Sequence, residues 1–558
     1  MNDTILTFNG IDLDTGGYLH SPMTARQLRT LATGGTVDEK ELEDLKNYWE
    51  SRGPHYGMVE GRDYKKLDEA GWGVIFAAEP EPGVYEALKP LLDLRKEQAS
   101  KKDERLYKEY KELRGYLPGD SKRMFLKRGG AQVSGVVDPT RMPYYLLIVG
   151  DPEVIPYEFQ YQMDVQYGVG RLHFDRVEDY AQYAASVIAA ETGKIQLARK
   201  ATFFGVNKAG DPSTELSAKF LVDPLHKAVS KDQAGKWAIE MVGGEDATKA
   251  RLGNLMGGSE APAFLFAASH GMGGTNGSAR QMPYQGALVC QDYPANGFKG
   301  DARPFFFAGE DLSSDARLGG TIAMMFACYG AGTPKFNDFR QIDGQSTAGQ
   351  IAPKAFVAAL PKAMLSHAKG GALAVIGHVE RAWSCSFLNG KTSTQTSTFE
   401  SSVKKLLDGY PVGYAMEEFN SKYAELSSEL LEMITLLKVQ EKLKADPTEE
   451  FVNNWTENYD ARNYSLVGDP AVRMPVVDAG AAAPVERESV TVNFVVPIVV
   501  SANAPIADEA KAEAIAVAAG YEVVTGSGSG RLVTRIEGDA AASWAAHKAA
   551  VESALAKR

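Results

Sequence analysis

At 558 residues the chain exceeds what one hydrophobic core sustains, and about 100–200 residues per domain implies three or four units. Its 44% apolar and 24% charged residues are those of a globular protein and exclude general disorder. A net charge of −12 and a pI near 5.4 exclude a chain built mainly to neutralise nucleic-acid phosphates.

The N-terminal stretch MNDTILTFNGIDLDTGG has no basic region followed by an apolar one, so no secretory signal is expected. Within the first ~115 residues, Gly73 to Ala77 is a strand candidate, and the charge-dense run from Arg95 to Arg128 predicts a solvated amphipathic helix with i to i+4 ion pairs. From about Pro143, strand and helix patterns alternate, which predicts a parallel sheet wrapped by helices. Strands are expected at Tyr144 to Val149, Ala201 to Val206, Ile239 to Val242, Ala263 to Ala268, Thr321 to Ala327 and Ala372 to Ile376. Helices are expected near Val177 to Glu191, Ser217 to Ser230, Ala247 to Met256 and Lys354 to Lys369.

The stretch Leu147 to Pro156, with Val149-Gly150-Asp151-Pro152, recurs late as Leu466 to Pro475, with Val467-Gly468-Asp469-Pro470. Gly-Asp-Pro is strong turn chemistry, so two unrelated strand exits account for the match more simply than a duplicated subdomain. Asp478 to Pro484 is a linker by composition. Beyond it, strands at Ser489 to Val500, Tyr521 to Thr525 and Arg531 to Ile536, with helices at Asp508 to Ala519 and Ala540 to Ala556, predict a small α+β appendage. The longest aliphatic stretch, Val490 to Val500, is interrupted by Asn493 and Pro497 and is too short to span a bilayer. The expected organisation is an N-terminal mixed α/β regulatory or packing region (1–140), a central unit (141–477), a linker (478–487) and the appendage (488–558). No membrane partner is expected.

Two apolar runs each deliver a reactive side chain to a strand exit: Phe264 to Ala268 leads into Ser269-His270-Gly271, and Ile322 to Ala327 into Cys328-Tyr329-Gly330. Such runs suit central strands of a parallel sheet, whose carboxyl edge gathers ligand and catalytic groups. If the strands are neighbours, an imidazole meets a thiol there. Cys328 is then the candidate nucleophile, His270 the proton carrier, and the backbone N–H groups of Gly271 and Cys328 the candidate donors to an oxyanion. The chain holds only three cysteines, Cys290, Cys328 and Cys385, with no CxxC pair. That count builds neither a disulfide framework nor a Cys-rich zinc site, and it fits a reducing, cytoplasmic setting.

This order resembles the caspase-like cysteine peptidases, the group of caspases, gingipains, separase and CHAT-domain proteins, in which one strand ends in His-Gly and a later one in Ala-Cys. The separation, 328 − 270 = 58 residues, is close to the roughly 50 of caspases. Tyr144 to Asp151, Tyr167-Gly168 and Val169-Gly170-Arg171-Leu172 look like the opening of a gingipain catalytic unit, and Leu466 to Pro470 like its close, so the resemblance spans roughly Pro143 to Pro475. The caspase QAC pentapeptide is absent, since Phe326 precedes Ala327 where Gln would stand. The resemblance implies a caspase-haemoglobinase-like α/β fold and a cysteine endopeptidase nearest the gingipain and CHAT side.

By the same resemblance an acid before the His strand and a Trp after the strand following the nucleophile line the specificity pocket. The matching residues are Glu215 and Trp383, with Asp211 either a competing pocket acid or a turn residue. A carboxylate with an indole face suits a guanidinium, so cleavage after Arg, then Lys, is expected. Glu215 also stands where an acid simply favours a helix start. His378 is followed by Val379 rather than Gly and is expected to be structural; Cys290 is expected in the core and Cys385 near Trp383. No HExxH and no phosphate loop is present, so no cofactor or metal is implied. The expected partners are a protein or peptide substrate and an activating or inhibitory protein that relieves a zymogen-like latency, with no nucleic acid; relatives suggest bacterial defence. The rival functions are an inactive caspase-like interaction scaffold and a Cys-dependent amidohydrolase acting on a small substrate.

Overall fold

The computed structural model describes residues 10–17 and 57–478, apart from 295–297, 299, 338–348, 390–392 and 443–448, together with strand segments at 5–6, 23–24, 495–498, 522–525 and 532–535. The strands that position the site are, in chain order, β1 (Gly10–Asp12), β2 (Trp72–Phe76), β3 (Tyr107–Tyr110), β4 (Tyr145–Val149), β5 (Gly168–Leu172), β6 (Lys200–Gly205), β7 (Ala238–Gly243), β8 (Phe264–Ala268), β9 (Gly271–Gly273), β10 (Leu288–Val289), β11 (Phe306–Phe307), β12 (Ile322–Phe326), β13 (Ala374–His378) and β14 (Tyr464–Gly468). The helices used below are α1 (Val84–Ala99), α2 (Val177–Glu191), α3 (Pro212–Ser217), α4 (Asp223–Asp232), α5 (Ala359–Leu365), α6 (Ser397–Leu407), α7 (Glu417–Lys442) and α8 (Glu449–Arg462).

Ten strands form one mostly parallel sheet in the order β7-β6-β8-β12-β13-β14-β5-β4-β2-β3. The block from β7 to β13 is parallel throughout, as is the block from β5 to β3, and β14 runs antiparallel to β13 where the blocks join. Every residue of β4, β8, β12 and β13 is buried, as a sheet covered on both faces requires. Helices flank it, α1 packing against α2 and α6 against α4 and α7. A second, four-stranded sheet, β11-β10-β9-β1, contributes Met272, Val289 and Phe306 to a small core of its own, and brings the N-terminal strand β1 alongside β9, directly after His270.

The expected boundary near residue 140 does not interrupt the main sheet. Strand β2 pairs with β4 from Trp72↔Tyr145 to Phe76↔Val149, so the N-terminal region contributes two strands to it. The run from Arg95 to Arg128 is not one helix, which corrects the expectation. It contains the end of α1, strand β3 and a short helix at Lys122–Arg128, with Pro118-Gly119 breaking any continuous path. Arg95 is fully buried rather than solvated: its Nε donates to Asp469 Oδ2 at 2.7 Å and its Nη1 to Glu191 Oε1 at 2.9 Å. Asp469 also accepts from Trp72 Nε1 at 2.9 Å, while Asp151, its counterpart in the near-repeat, pairs with Lys354 at 2.9 Å. The two Gly-Asp-Pro turns thus end different strands and anchor different neighbours.

The helix expected at Ser217 to Ser230 begins earlier, at Pro212, and passes through a π turn at Ala218–Val222 into α4. Pro224 has no N–H and its ring crowds the carbonyl four residues back, that of Phe220, so the chain widens there. The helix expected at Lys354 to Lys369 shrinks to Ala359–Leu365, because Phe356-Val357 instead pairs antiparallel with Gly332-Thr333, the chain leaving Cys328. In the appendage, Leu532–Arg535 pairs antiparallel with both Val495–Ile498 and Glu522–Thr525, a three-stranded sheet close to the expected strands. The two helices expected there and most of the linker lie outside the described residues.

Candidate active site

Strands β8 and β12 are hydrogen-bonded neighbours, Phe264↔Ile322 through Ala268↔Phe326, so the residues that follow them emerge side by side at the carboxyl edge. After β12 the chain turns sharply. The Gly330 N–H donates to the Ala327 carbonyl at 3.2 Å, which places Cys328 and Tyr329 at the apex. Tyr329 has φ 60°, a left-handed conformation that costs a non-glycine residue of order 1 kcal/mol or more. Its N–H donates to the Glu380 carbonyl at 2.9 Å.

Two glycines admit this turn. A Cβ on Gly271 would stand 1.8 Å from the Cys328 carbonyl oxygen, and one on Gly286 would stand 2.1 Å from that of Tyr329. The His-Gly dipeptide therefore lies in direct backbone contact with the Cys328 segment, and any side chain at 271 would push the two apart.

His270 is 3% exposed, and its Nε2–H donates to Asp211 Oδ2 at 2.6 Å. Asp211 caps α3 with its other oxygen, accepting from the Ser213 N–H at 3.2 Å, and Pro212 occupies the first helical turn. The helix thereby fixes the carboxylate that fixes the imidazole. Sequence reasoning gave Asp211 a pocket or a turn role and missed this partnership. The signal lay in strand order: β6 neighbours β8, so residues leaving β6 come out next to His270.

Cys328 is 0% exposed. Its Sγ accepts the Ala382 N–H at 3.4 Å, and burial pushes the thiol well above its ordinary range, against the smaller pull of that N–H and of Arg381. Glu380 and Arg381 are buried beside it as an ion pair at 3.0 Å, with Arg381 also donating to Asn337 Oδ1 at 2.8 Å. Cys328, Tyr329, Trp383 and Cys385 share one apolar cluster with side chains of α7 and α8.

Of the pocket candidates, Trp383 is buried in that cluster and its backbone N–H donates to Asp460 Oδ1 at 2.8 Å. Glu215 lies on the exposed side of α3, where its carboxylate accepts the Gly210 N–H at 2.9 Å. Helix α3, which carries Glu215, packs against the turn at Ser384–Ser386 that follows Trp383. His378 is buried, its Nε2 donating to the Asp460 carbonyl at 3.0 Å, and Cys290 lies in the main core. Among the described residues no group of three or more His, Cys, Asp and Glu is placed to hold a metal ion, and no helix is long and apolar enough to cross a membrane.

No protein-family model matches the chain, and no curated protein does. Among solved structures it is similar to one described only as a protease, at TM-score 0.42 and 12% identity, covering 77% of this chain and 84% of that one. It is also similar to the Arg-specific cysteine proteinase gingipain R, RgpB, at TM-score 0.38 and 12% identity, covering 80% and 83%. The complex of the pro- and mature domains of Porphyromonas gingivalis RgpB follows at TM-score 0.37 and 12% identity, covering 77% and 82%. These likenesses are distant, and the chemistry of the site rests on its own geometry.

Proposed function

We propose that the chain is a caspase-like cysteine endopeptidase in which Cys328 attacks the peptide carbonyl carbon and His270 moves the proton. The observation that carries this reading is the backbone contact of Gly271 with Cys328, which brings the strand exit of an Asp-held imidazole against the turn that carries the thiol. Asp211 holds Nε2, so proton exchange with substrate and nucleophile falls to Nδ1. The thiol gives its proton to the imidazole, sulfur bonds to the carbonyl carbon, and the C=O electrons move onto oxygen, where the Gly271 and Cys328 N–H groups are the proposed donors. The imidazolium then protonates the departing amine, leaving a thioester. A water activated by His270 hydrolyses the thioester and restores the thiol.

Cleavage after Arg, then Lys, is supported by Glu215 on the exposed face of α3 beside the turn that carries Trp383. Latency until processing or a partner intervenes is supported by the complete burial of Cys328. That burial also suits the second reading, a caspase-like interaction scaffold without turnover.

A fluorogenic peptide panel varying the residue before the scissile bond separates the two. With wild type, Cys328→Ala and Glu215→Gln compared, the peptidase reading expects cleavage after Arg or Lys that vanishes with Cys328→Ala and weakens selectively for basic residues with Glu215→Gln. Absence of any Cys328-dependent product, both before and after the chain is proteolytically nicked, would sink it in favour of the scaffold.

A further inference from the structure

A peptide carbonyl must come within about 3–3.5 Å of a nucleophile to react. Cys328 is wholly buried, so no carbonyl reaches it in this structure. Leu430 and Ile434 of α7, with Phe451, Val452 and Trp455 of α8, share the apolar cluster that contains Cys328 and Trp383. These helices form a hairpin inserted in the chain between β13, which neighbours β12 in the sheet, and β14, the strand beyond it.

The hairpin has the anatomy of a body that can move as one piece. Its helices are stitched to each other by polar contacts: Asn454 Nδ2 to Glu429 Oε2 at 2.7 Å, Asn458 Nδ2 to Ser427 Oγ at 2.6 Å, and the ion pair of Lys422 with Glu457 at 3.8 Å. Its base is clamped to the sheet. At the C-terminal end of α8, Asp460 accepts from the Trp383 N–H and the Ser386 hydroxyl, and its carbonyl accepts from His378. Nearer its tip the hairpin joins the Cys328 cluster through the apolar residues named above. Fixed polar contacts at the base and non-directional apolar contacts in the cluster allow the apolar end to lift without breaking the hairpin.

We propose that the α7–α8 hairpin is an autoinhibitory lid over Cys328, and that activation is its displacement. This rests on the reading of Cys328 as the nucleophile and names what keeps it latent. A processing protease or a partner protein acts by holding the hairpin off the cluster, and the substrate's extended backbone then takes the vacated place.

Alkylation of the full chain with iodoacetamide, followed residue by residue by mass spectrometry, tests the lid without requiring turnover. Cys290, buried in the main core, is an internal control for unfolding. In wild type Cys328 is expected to react far more slowly than in the urea-unfolded chain. Leu430→Asp with Phe451→Asp should speed Cys328 labelling by about tenfold or more while Cys290 stays protected. If that variant unfolds, so that Cys290 labels too, the milder Ile434→Ala with Trp455→Ala carries the same expectation. A wild-type Cys328 that labels as fast as in urea, or a rate unmoved by either folded variant, overturns the lid. Faster labelling with no peptide hydrolysis keeps the lid and removes the peptidase; hydrolysis by wild type with a lid-independent labelling rate does the reverse.

Discussion

Two histidines end buried strands of the same parallel block, and each is bonded through Nε2 to an aspartate residue, yet their surroundings differ in kind. His270 follows β8, and Gly271 after it touches the Cys328 backbone. His378 closes β13, is followed by Val379, and meets Asp460, whose carboxylate already holds the Trp383 N–H and the Ser386 hydroxyl while Tyr464 bonds Ser386 at 2.8 Å. Asp211 is fixed by a helix start and serves one imidazole. Asp460 is a hub joining α8, β13 and the turn after it. An imidazole–carboxylate pair is therefore no evidence of catalysis by itself; what distinguishes the first is the glycine that lets the Cys328 backbone come close.

The comparison breaks most visibly at the aspartates. Asp211→Asn keeps the helix cap but cannot hold the imidazole in one tautomer or support its charge, so kcat should fall by about 100- to 10,000-fold with little change in stability. A loss of Cys328-dependent cleavage below tenfold would make Asp211 a helix cap alone. Asp460→Asn should do the opposite. It leaves a buried hub partly unsatisfied and should lower unfolding free energy by about 3–5 kcal/mol, read as a lowered urea midpoint with unchanged m-value. Unchanged stability there would mean that the hub is dispensable and the hairpin base unclamped.

Most of the sheet was legible in the sequence because its strands are continuous apolar runs closed by glycine or turn residues, as at 264–268 and 322–326. What the linear pattern cannot carry is which runs are neighbours. The pairing of β8 with β12, and of β6 with β8, had to be supplied by the fold, and the partnership of Asp211 with His270 follows only from it. Arg95 misled for a related reason. A basic residue in a charge-dense run reads as solvated, but Asp469 and Glu191, distant in sequence, make its burial tolerable. The shared cluster of Cys328 with α7 and α8 was hidden too, since an amphipathic helix announces that it buries one face and not which residues that face meets.

The smallest effect separates the structural histidine by its pH dependence. Burial works against a charged His378, but the Asp460 carboxylate, through hydrogen bond and charge, together with backbone carbonyls, outweighs it and raises the pKa above the ordinary 6.5. The folded chain then holds this proton more tightly than the unfolded one. Its contribution to stability is fully present below about pH 6.5 and is lost as pH rises through the folded value. His173 has the opposite sign: burial pushes it down to about 4, so folding favours its neutral form and stability drops as pH falls from about 6.5 towards 4. Urea unfolding of wild type and His378→Gln between pH 5.5 and 9 should show a gap that narrows as pH rises, whereas the gap for His173→Gln should change only on the acid side. A His378 gap that widens with pH would mean that the imidazole is held neutral, and that Asp460 clamps the hairpin through hydrogen bonds without a buried ion pair.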